Sequence, residues 1–182
     1  MKFDKYFKNY NNSIYELLNN FDTSLIDQSV ELIDNCKRNN GKVFIVGNGG
    51  SSSIASHVSV DFAKVANIQS ETFNNANLIT TFANDYGHDN WICEAIKAYL
   101  QKNDILILIS SSGTSKNIVN AANYCKNNNI ELITLSGFNS TNPLSKLGDV
   151  NIHINSKNYN FIEMSHHIIL LSIVDIFVEK LN

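Results

Sequence analysis

The 182-residue chain contains three cysteines, one proline and one tryptophan. Cys36, Cys93 and Cys125 are widely separated, odd in number and in no metal-like spacing. Neither a disulfide framework nor a structural zinc knuckle is expected, and the three read as reduced thiols. The lone Pro143 leaves no Pro-rich linker, and no repeat or shift of composition divides the chain, so one domain spanning 1–182 is expected. No apolar run reaches the roughly 20 residues that cross a bilayer. Met1-Lys2-Phe3-Asp4 opens into an amphipathic pattern rather than a signal sequence; a soluble cytoplasmic protein is expected, with no membrane partner. Positive charge is also scarce: 14 Lys and Arg stand against 17 Asp and Glu, for a net charge of −3. That balance excludes a broad nucleic-acid surface, whose affinity comes from neutralising phosphates. It leaves room for a small anion held by neutral donors. What the chain does have is 43% hydrophobic residues, enough for a real core, and asparagine clusters such as Asn127-Asn128-Asn129 that suit surfaces and turns.

Hydrophobic periodicity predicts two helices before any strand. Phe3, Tyr6, Phe7, Tyr10, Ile14, Leu17 and Leu18 recur every three or four positions, and Leu25, Ile26, Val30, Ile33 and Cys36 do so again after a break at Phe21-Asp22. The aromatic stripe of the first helix is too wide for a lone helix on a small α/β domain and predicts packing on the second helix or another subunit. Alternation follows. Strands are expected at Val43–Val46, near Glu71–Phe73, at Ile105–Ile109, Glu131–Leu135 and Val150–Ile154. Helices are expected from the first loop to about Ala66, near Ala76–Phe82, at Trp91–Leu100, Lys116–Asn127, around Pro143–Leu147, and from Tyr159 to Leu181. Buried strands alternating with helices predict a doubly wound parallel sheet.

The two strongest strands each run into a Gly/Ser loop and then a helix. In such a sheet, ligands bind beyond the carboxyl ends of the strands, where helix N-termini offer free N–H groups to an anion. Gly47-Asn48-Gly49-Gly50-Ser51 permits close backbone approach. Ser110, Ser111, Ser112 and Ser115 add hydroxyls, and neutral donors of this kind can hold a phosphate monoester without arginine. Neither loop is a Walker P-loop or a dinucleotide fingerprint, because the lysine of the one and the spacing of the other are missing. Either loop alone would also serve as a helix cap and tight turn.

These loops, with His57 downstream of the first, Asn84-Asp85-Tyr86-Gly87, Ile109-Ser110-Ser111-Ser112-Gly113-Thr114-Ser115 and Ile162-Glu163 on the last helix, resemble the SIS (sugar isomerase) fold and within it the phosphoheptose isomerases. The match runs in order over almost the whole chain. It implies a single α/β SIS domain with a five-stranded parallel sheet, assembled as a homotetramer with active sites at subunit interfaces. It implies an aldose–ketose isomerisation of sedoheptulose 7-phosphate that supplies heptose to lipopolysaccharide or capsule. By resemblance, Ser110, Ser112 and Ser115 hold the sugar phosphate, while Asn48, Gly49, Gly50, Ser51, Asn84 and Asp85 contact the sugar; Ser111 on the serine loop and Glu163 on the last helix are further candidate substrate contacts.

The resemblance breaks at the chemistry. Family members bind zinc with a His and a Glu four apart on the helix after the first loop, plus a Gln and a His eight apart on the last helix. The Glu serves as base and the second His as acid. Here His57 matches the first position, but Asp61, Glu163 and Leu171 stand at the other three. Helical spacing offers a substitute. Residues four apart share a face, so His57 with Asp61 and Glu163 with His167 form two pairs, and together make a set of two nitrogens and two carboxylates suited to zinc. Asp61 is the expected base, and His167 or His166 the expected acid. The alternative is a metal-free polar pocket. Intact phosphate loops with altered catalytic positions also fit a non-catalytic phosphosugar-binding or protein-binding regulator, such as the relatives that bind the bacterial replication initiator. His88 and Lys64 are expected at the surface, His153 to face outward from its strand, and Trp91 to pack.

Overall fold

The structure is a computed structural model and describes residues 2–179. Two helices, α1 (Lys2–Asn19) and α2 (Ser24–Arg38), precede β1 (Val43–Gly47). There follow α3 (Gly50–Lys64), β2 (Ser70–Thr72), α4 (Ala76–Tyr86), α5 (Trp91–Tyr99), β3 (Ile105–Ser110), α6 (Lys116–Asn127) and β4 (Leu132–Ser136). A short 3-10 turn, Pro143–Lys146, leads to β5 (Val150–His153) and α7 (Tyr159–Glu179). The expected end of the last helix at Leu181 lies outside the described residues.

All five strands pair in parallel in the order β2-β1-β3-β4-β5. The burial pattern explains the continuous apolar strands, since both faces of the sheet are covered. Val43, Ile45, Ile105, Ile107, Ile109, Ile133 and Leu135 point to a core shared with α2, α3 and α7. Phe44, Val46, Leu106, Leu108 and Leu132 point to a second core shared with α5 and α6. Trp91 is buried there, as expected. The chain leaves β1 toward β2 on one side and returns to β3 on the other. That reversal opens a crevice between the carboxyl ends of β1 and β3, where the two Gly/Ser loops emerge.

The α4 boundary is the largest departure from the sequence-based expectation. The helix runs four residues beyond Phe82, to Tyr86, with Asn75 accepting the Leu78 N–H at its start and Gly87 closing it at φ +80°. No α4 residue is fully buried, so the apolar period used to place its end fades early. Along α1 the aromatic stripe divides: Tyr10 packs edge-on against Phe161 at 4.8 Å, whereas Phe3, Tyr6 and Phe7 are exposed.

Helix α7 is long and apolar enough to span a bilayer by length and composition alone. In the fold it is a core helix, with Ile162, Ile169, Leu170, Ile173, Val174 and Phe177 buried against the sheet and α3. Desolvation raises the buried thiols, Cys36 to about 11 and Cys125 to about 12, which suits packing rather than reactivity.

Two histidines sit differently from the sequence-based expectation. His153 does not stand clear of its strand. Its Nδ1 meets the Ser136 hydroxyl at 3.3 Å, and its Nε2 is buried without a partner. His166, named above as an acid candidate, is fully buried and donates from Nε2 to the Ser136 carbonyl at 3.0 Å. Burial drives its pKa down from 6.5 to about 4. The native state therefore holds it neutral, while the unfolded chain takes up a proton near 6.5. Its contribution is complete above that value and is lost as pH falls toward 4, at up to about 1.4 kcal/mol per pH unit. Denaturant unfolding between pH 7 and 4.5 should show a shallower loss of stability in His166→Gln than in the native protein. Equal slopes would contradict this.

Candidate functional site

The first loop is built by β1 ending at Gly47 and α3 starting at Gly50. Asn74 pins the turn: its Oδ1 accepts the Gly47 N–H at 3.1 Å and its Nδ2 donates to the Gly47 carbonyl at 2.7 Å. Gly49 adopts φ +54°, a conformation other residues take at a cost. As the N-cap of α3 it has no side chain to occupy the first N–H groups. The second loop is built alike. Gly113 adopts φ +65°, and Ser115, the N-cap of α6, makes no side-chain capping bond. Two helix N-termini therefore open toward one crevice, with the Ile118 N–H of α6 already taken by the Asn117 Oδ1 and the Ser52 N–H of α3 by the Gly49 carbonyl.

Between them lies a cleft of ≈ 260 Å³ bordered by Asn48, Gly49, Gly50, Ser51, Ile109, Ser110, Ser111, Ser112, Ser115, Tyr159 and Glu163. Nine of these eleven are site residues named from the sequence; Ile109 and Tyr159 are not. Ser110 donates to Ser115 at 3.3 Å, and Ser112 accepts from the Thr114 hydroxyl at 3.0 Å. Ser111 is 6% exposed, and its hydroxyl is buried without a partner. An unmade hydrogen bond in a buried place is costly unless a ligand completes it. Replacing Ser111 with alanine should leave stability unchanged or slightly raised while weakening phosphate binding several-fold. Calorimetric titration with inorganic phosphate, alongside Ser110→Ala and Ser112→Ala, checks this; unaltered affinity in all three would contradict it.

The second cluster lies farther along the same helices. His57 Nε2 is 3.2 Å from Asp61 Oδ2, and His57 Nδ1 is 2.9 Å from His167 Nε2. The spacing argument thus brings His57, Asp61 and His167 together across α3 and α7. The chain of bonds fixes the tautomers. With the carboxylate accepting from His57 Nε2–H, His57 Nδ1 accepts from His167 Nε2–H, which leaves the His167 Nδ1 lone pair free. Burial lowers the His167 pKa, the neighbouring His57 lowers it further, and Asp61 opposes both.

Glu163 does not join this cluster. Its carboxylate lies over the start of α3, where a Cβ on Gly50 would sit 2.5 Å from Glu163 Oε2. Among the described residues no group of three or more His, Cys, Asp and Glu side chains is arranged to hold a metal ion. The proposed zinc set of His57, Asp61, Glu163 and His167 therefore does not fit as arranged, because both His57 nitrogens are engaged and the fourth donor lines the other cleft. Leu171, at the family's second His position, packs against the core. Asn84 and Asp85 are exposed on α4, bonded to each other at 2.9 Å, and do not border the cleft. His88 and Lys64 are exposed.

Four contributors were not named from the sequence, Asn74 of the first loop among them. Asn117 is buried and exchanges two amide bonds with Asn48, at 2.9 and 3.0 Å, which tie the first loop to α6. Asn142 is buried beneath the serine loop and donates to the Ser136 hydroxyl and the Gly137 and Asn139 carbonyls. Tyr159 forms a wall of the cleft. The signal that could have found the three asparagines was drowned by a sequence rich in exposed ones.

A parallel sheet with two Gly/Ser turns at its switch point defines a doubly wound α/β domain with its crevice between β1 and β3, and residues 5–137 match the SIS domain. The chain belongs to the SIS domain family, in its phosphoheptose isomerase branch. Phosphoheptose isomerase 2 of Campylobacter jejuni is 34% identical over 170 residues, covering 89% of this chain and 83% of that protein. The phosphoheptose isomerase of Buchnera aphidicola is 30% identical over 179 residues, covering 93% and 92%. The solved phosphoheptose isomerase of Neisseria gonorrhoeae superposes with a TM-score of 0.86 over 97% of each chain at 22% identity, which confirms the fold.

Proposed function

We propose that the protein is an aldose–ketose isomerase acting on a sugar phosphate of the sedoheptulose 7-phosphate class, and so supplies heptose for surface polysaccharide. The observation that carries this reading is the pairing of an anion cleft with a hydrogen-bonded Asp61–His57–His167 chain on the same two helices. Relatives named phosphoheptose isomerase support it. The phosphate sits against the serine loop and the N-termini of α3 and α6. The carbon chain runs along α7 toward His167. There Nδ1 takes the proton from the carbon beside the carbonyl and returns it to the former carbonyl carbon, while the hydroxyl proton of the first carbon passes to the former carbonyl oxygen through solvent. Asp61, expected from the sequence as the base, acts instead through His57, holding the tautomer and stabilising the positive charge that His167, expected as the acid, gains as base.

The finer parts of the reading are a cytoplasmic location and a homotetramer, in which the exposed Phe3, Tyr6 and Phe7 are covered and Asn84 and Asp85 reach a neighbouring site. Light scattering at micromolar concentration tests the assembly: four chains are expected, and a monomer would contradict it. No step above runs through a metal. One zinc per chain in elemental analysis would require the His57–His167 bond to open and Glu163 to turn away from Gly50. A non-catalytic phosphosugar binder is the second reading, favoured by Leu171 being packed into the core where the family places its acid.

A further inference from the structure

Helix α7 is apolar on nearly every side. Ile168-Ile169-Leu170-Leu171 sends an aliphatic side chain in four successive directions, about 100° apart. Ile162, Ile169, Leu170, Ile173 and Phe177 are buried, yet Met164 and Ile168 stand exposed on the opposite side. Such a helix loses little apolar burial when it turns about its axis, so hydrophobic packing alone specifies its rotation weakly. A directional polar contact specifies it well. Ser165, a buried polar residue of the helix, donates back to the Phe161 carbonyl and fixes nothing outside α7. His166 reaches another element: its Nε2–H donates to the Ser136 carbonyl at 3.0 Å, at the end of β4. That anchor is itself held, because the same carbonyl accepts the Ile154 N–H at 2.9 Å and Asn142 donates to the Ser136 hydroxyl. Histidine is a costly way to fill this place. Its Nδ1 is buried with no partner, a cost that an aliphatic side chain would avoid.

We propose that His166 is a positioning residue: it sets the rotation of α7 and so holds His167 against His57. The inference rests on the reading of His167 as the base. Residue 167 leaves the helix about 100° from residue 166, so fixing one direction fixes the other. A turn of about 10° carries an imidazole lying ~6 Å from the axis through about 1 Å. The His57 Nδ1–His167 Nε2 contact of 2.9 Å does not survive a displacement of that size. Misplacing a reacting group by this much costs on the order of 10²-fold in rate. A buried polar group that selects one arrangement among several of similar apolar burial has the role a single asparagine plays in a coiled-coil seam.

The test compares the native chain with His166→Leu and His166→Gln at neutral pH. It reads kcat, KM and Tm with sedoheptulose 7-phosphate as substrate, and the ring nitrogens of the five histidines by NMR. His167 is assigned from the signals lost in His167→Ala. In His166→Leu, kcat should fall about 10–10²-fold with KM within about twofold. Its Tm should hold or rise, since the orphaned Nδ1 is gone and the Ser136 carbonyl keeps a partner. His167 should lose the Nε2–H tautomer that its bond to His57 imposes. His166→Gln, whose amide N–H reaches the place of Nε2, should restore kcat to within about threefold of the native value. Should His166→Leu fail to fold, His166→Asn, whose amide stops short of the carbonyl, takes its place against His166→Gln. An unchanged kcat or an unchanged tautomer in the disrupting variant, or a loss that glutamine does not restore, would overturn the role of His166. A native chain without isomerase activity would overturn the reading of His167 as the base, and the tautomer in the two variants then decides the role of His166 by itself.

Discussion

Replacing His167 with alanine should lower the isomerisation rate by about 10²–10⁴-fold, the range a positioned acid or base contributes, while phosphate affinity stays within about twofold. The separation follows from placement. His167 lies beyond the cleft formed by Gly50, Ser111 and Ser115, and is tied instead to His57 at 2.9 Å. Its loss leaves both helix N-termini and all the serine hydroxyls in place. His57→Ala should cost less, because it removes the group that orients the base and not the base itself, and Asp61→Asn should cost less again. Steady-state rates with binding measured separately distinguish these cases. Leu171→His should then add little, and its imidazole would intrude where leucine packs on the core. Strong activity appearing in Leu171→His from an inert native chain would identify a binding descendant and end the enzyme reading.

Replacing Gly113 with alanine should be the most damaging change in the phosphate seat. At φ +65° any side chain is strained. A Cβ there would also collide with the Oδ1 of Asn142. That amide cannot turn aside cheaply. Its Nδ2 donates to Ser136 Oγ at 3.1 Å and the Asn139 carbonyl at 2.8 Å, and its Oδ1 accepts the Ser145 N–H at 3.0 Å. Strain together with the loss of buried hydrogen bonds should cost roughly 3 kcal/mol, or about 6–12 °C in Tm for a chain of this size. Phosphate binding should fall with it, because the serine loop rests on Asn142. Adding Asn142→Ala to Gly113→Ala should cost much less than the two changes summed, since they share one contact. Additive losses, or an unchanged Tm in Gly113→Ala, would contradict this account of the loop.

The sheet was legible because its strands carry apolar residues on both faces. Ile105 through Ile109, short, β-branched and ended by a Gly/Ser loop, suits a strand covered on both faces, and the Gly/Ser loops after β1 and β3 reveal where the chain reverses. The His57–Asp61 and Glu163–His167 spacings placed each pair along its own helix. They could not give the rotation of α7 against α3, and that rotation decides which members meet. It brings His167 to His57 and sends Glu163 to the other cleft, although both pairs have the same period. His153 escaped for a related reason: alternation with Ile152 and Ile154 fixes its face of the strand, and not whether another element covers that face. Asn117 and Asn142 were hidden by abundance. Nothing local separates a buried structural asparagine from the exposed ones around it.

The most direct test of the central claim is to incubate the purified native chain with sedoheptulose 7-phosphate in deuterated water and follow the sugar by NMR. Conversion to the aldose phosphate, with deuterium entering at the carbon beside the carbonyl, is the expected result. Saturable binding of the sugar phosphate with neither conversion nor deuterium entry would contradict it and leave a phosphosugar-binding protein built on the same fold.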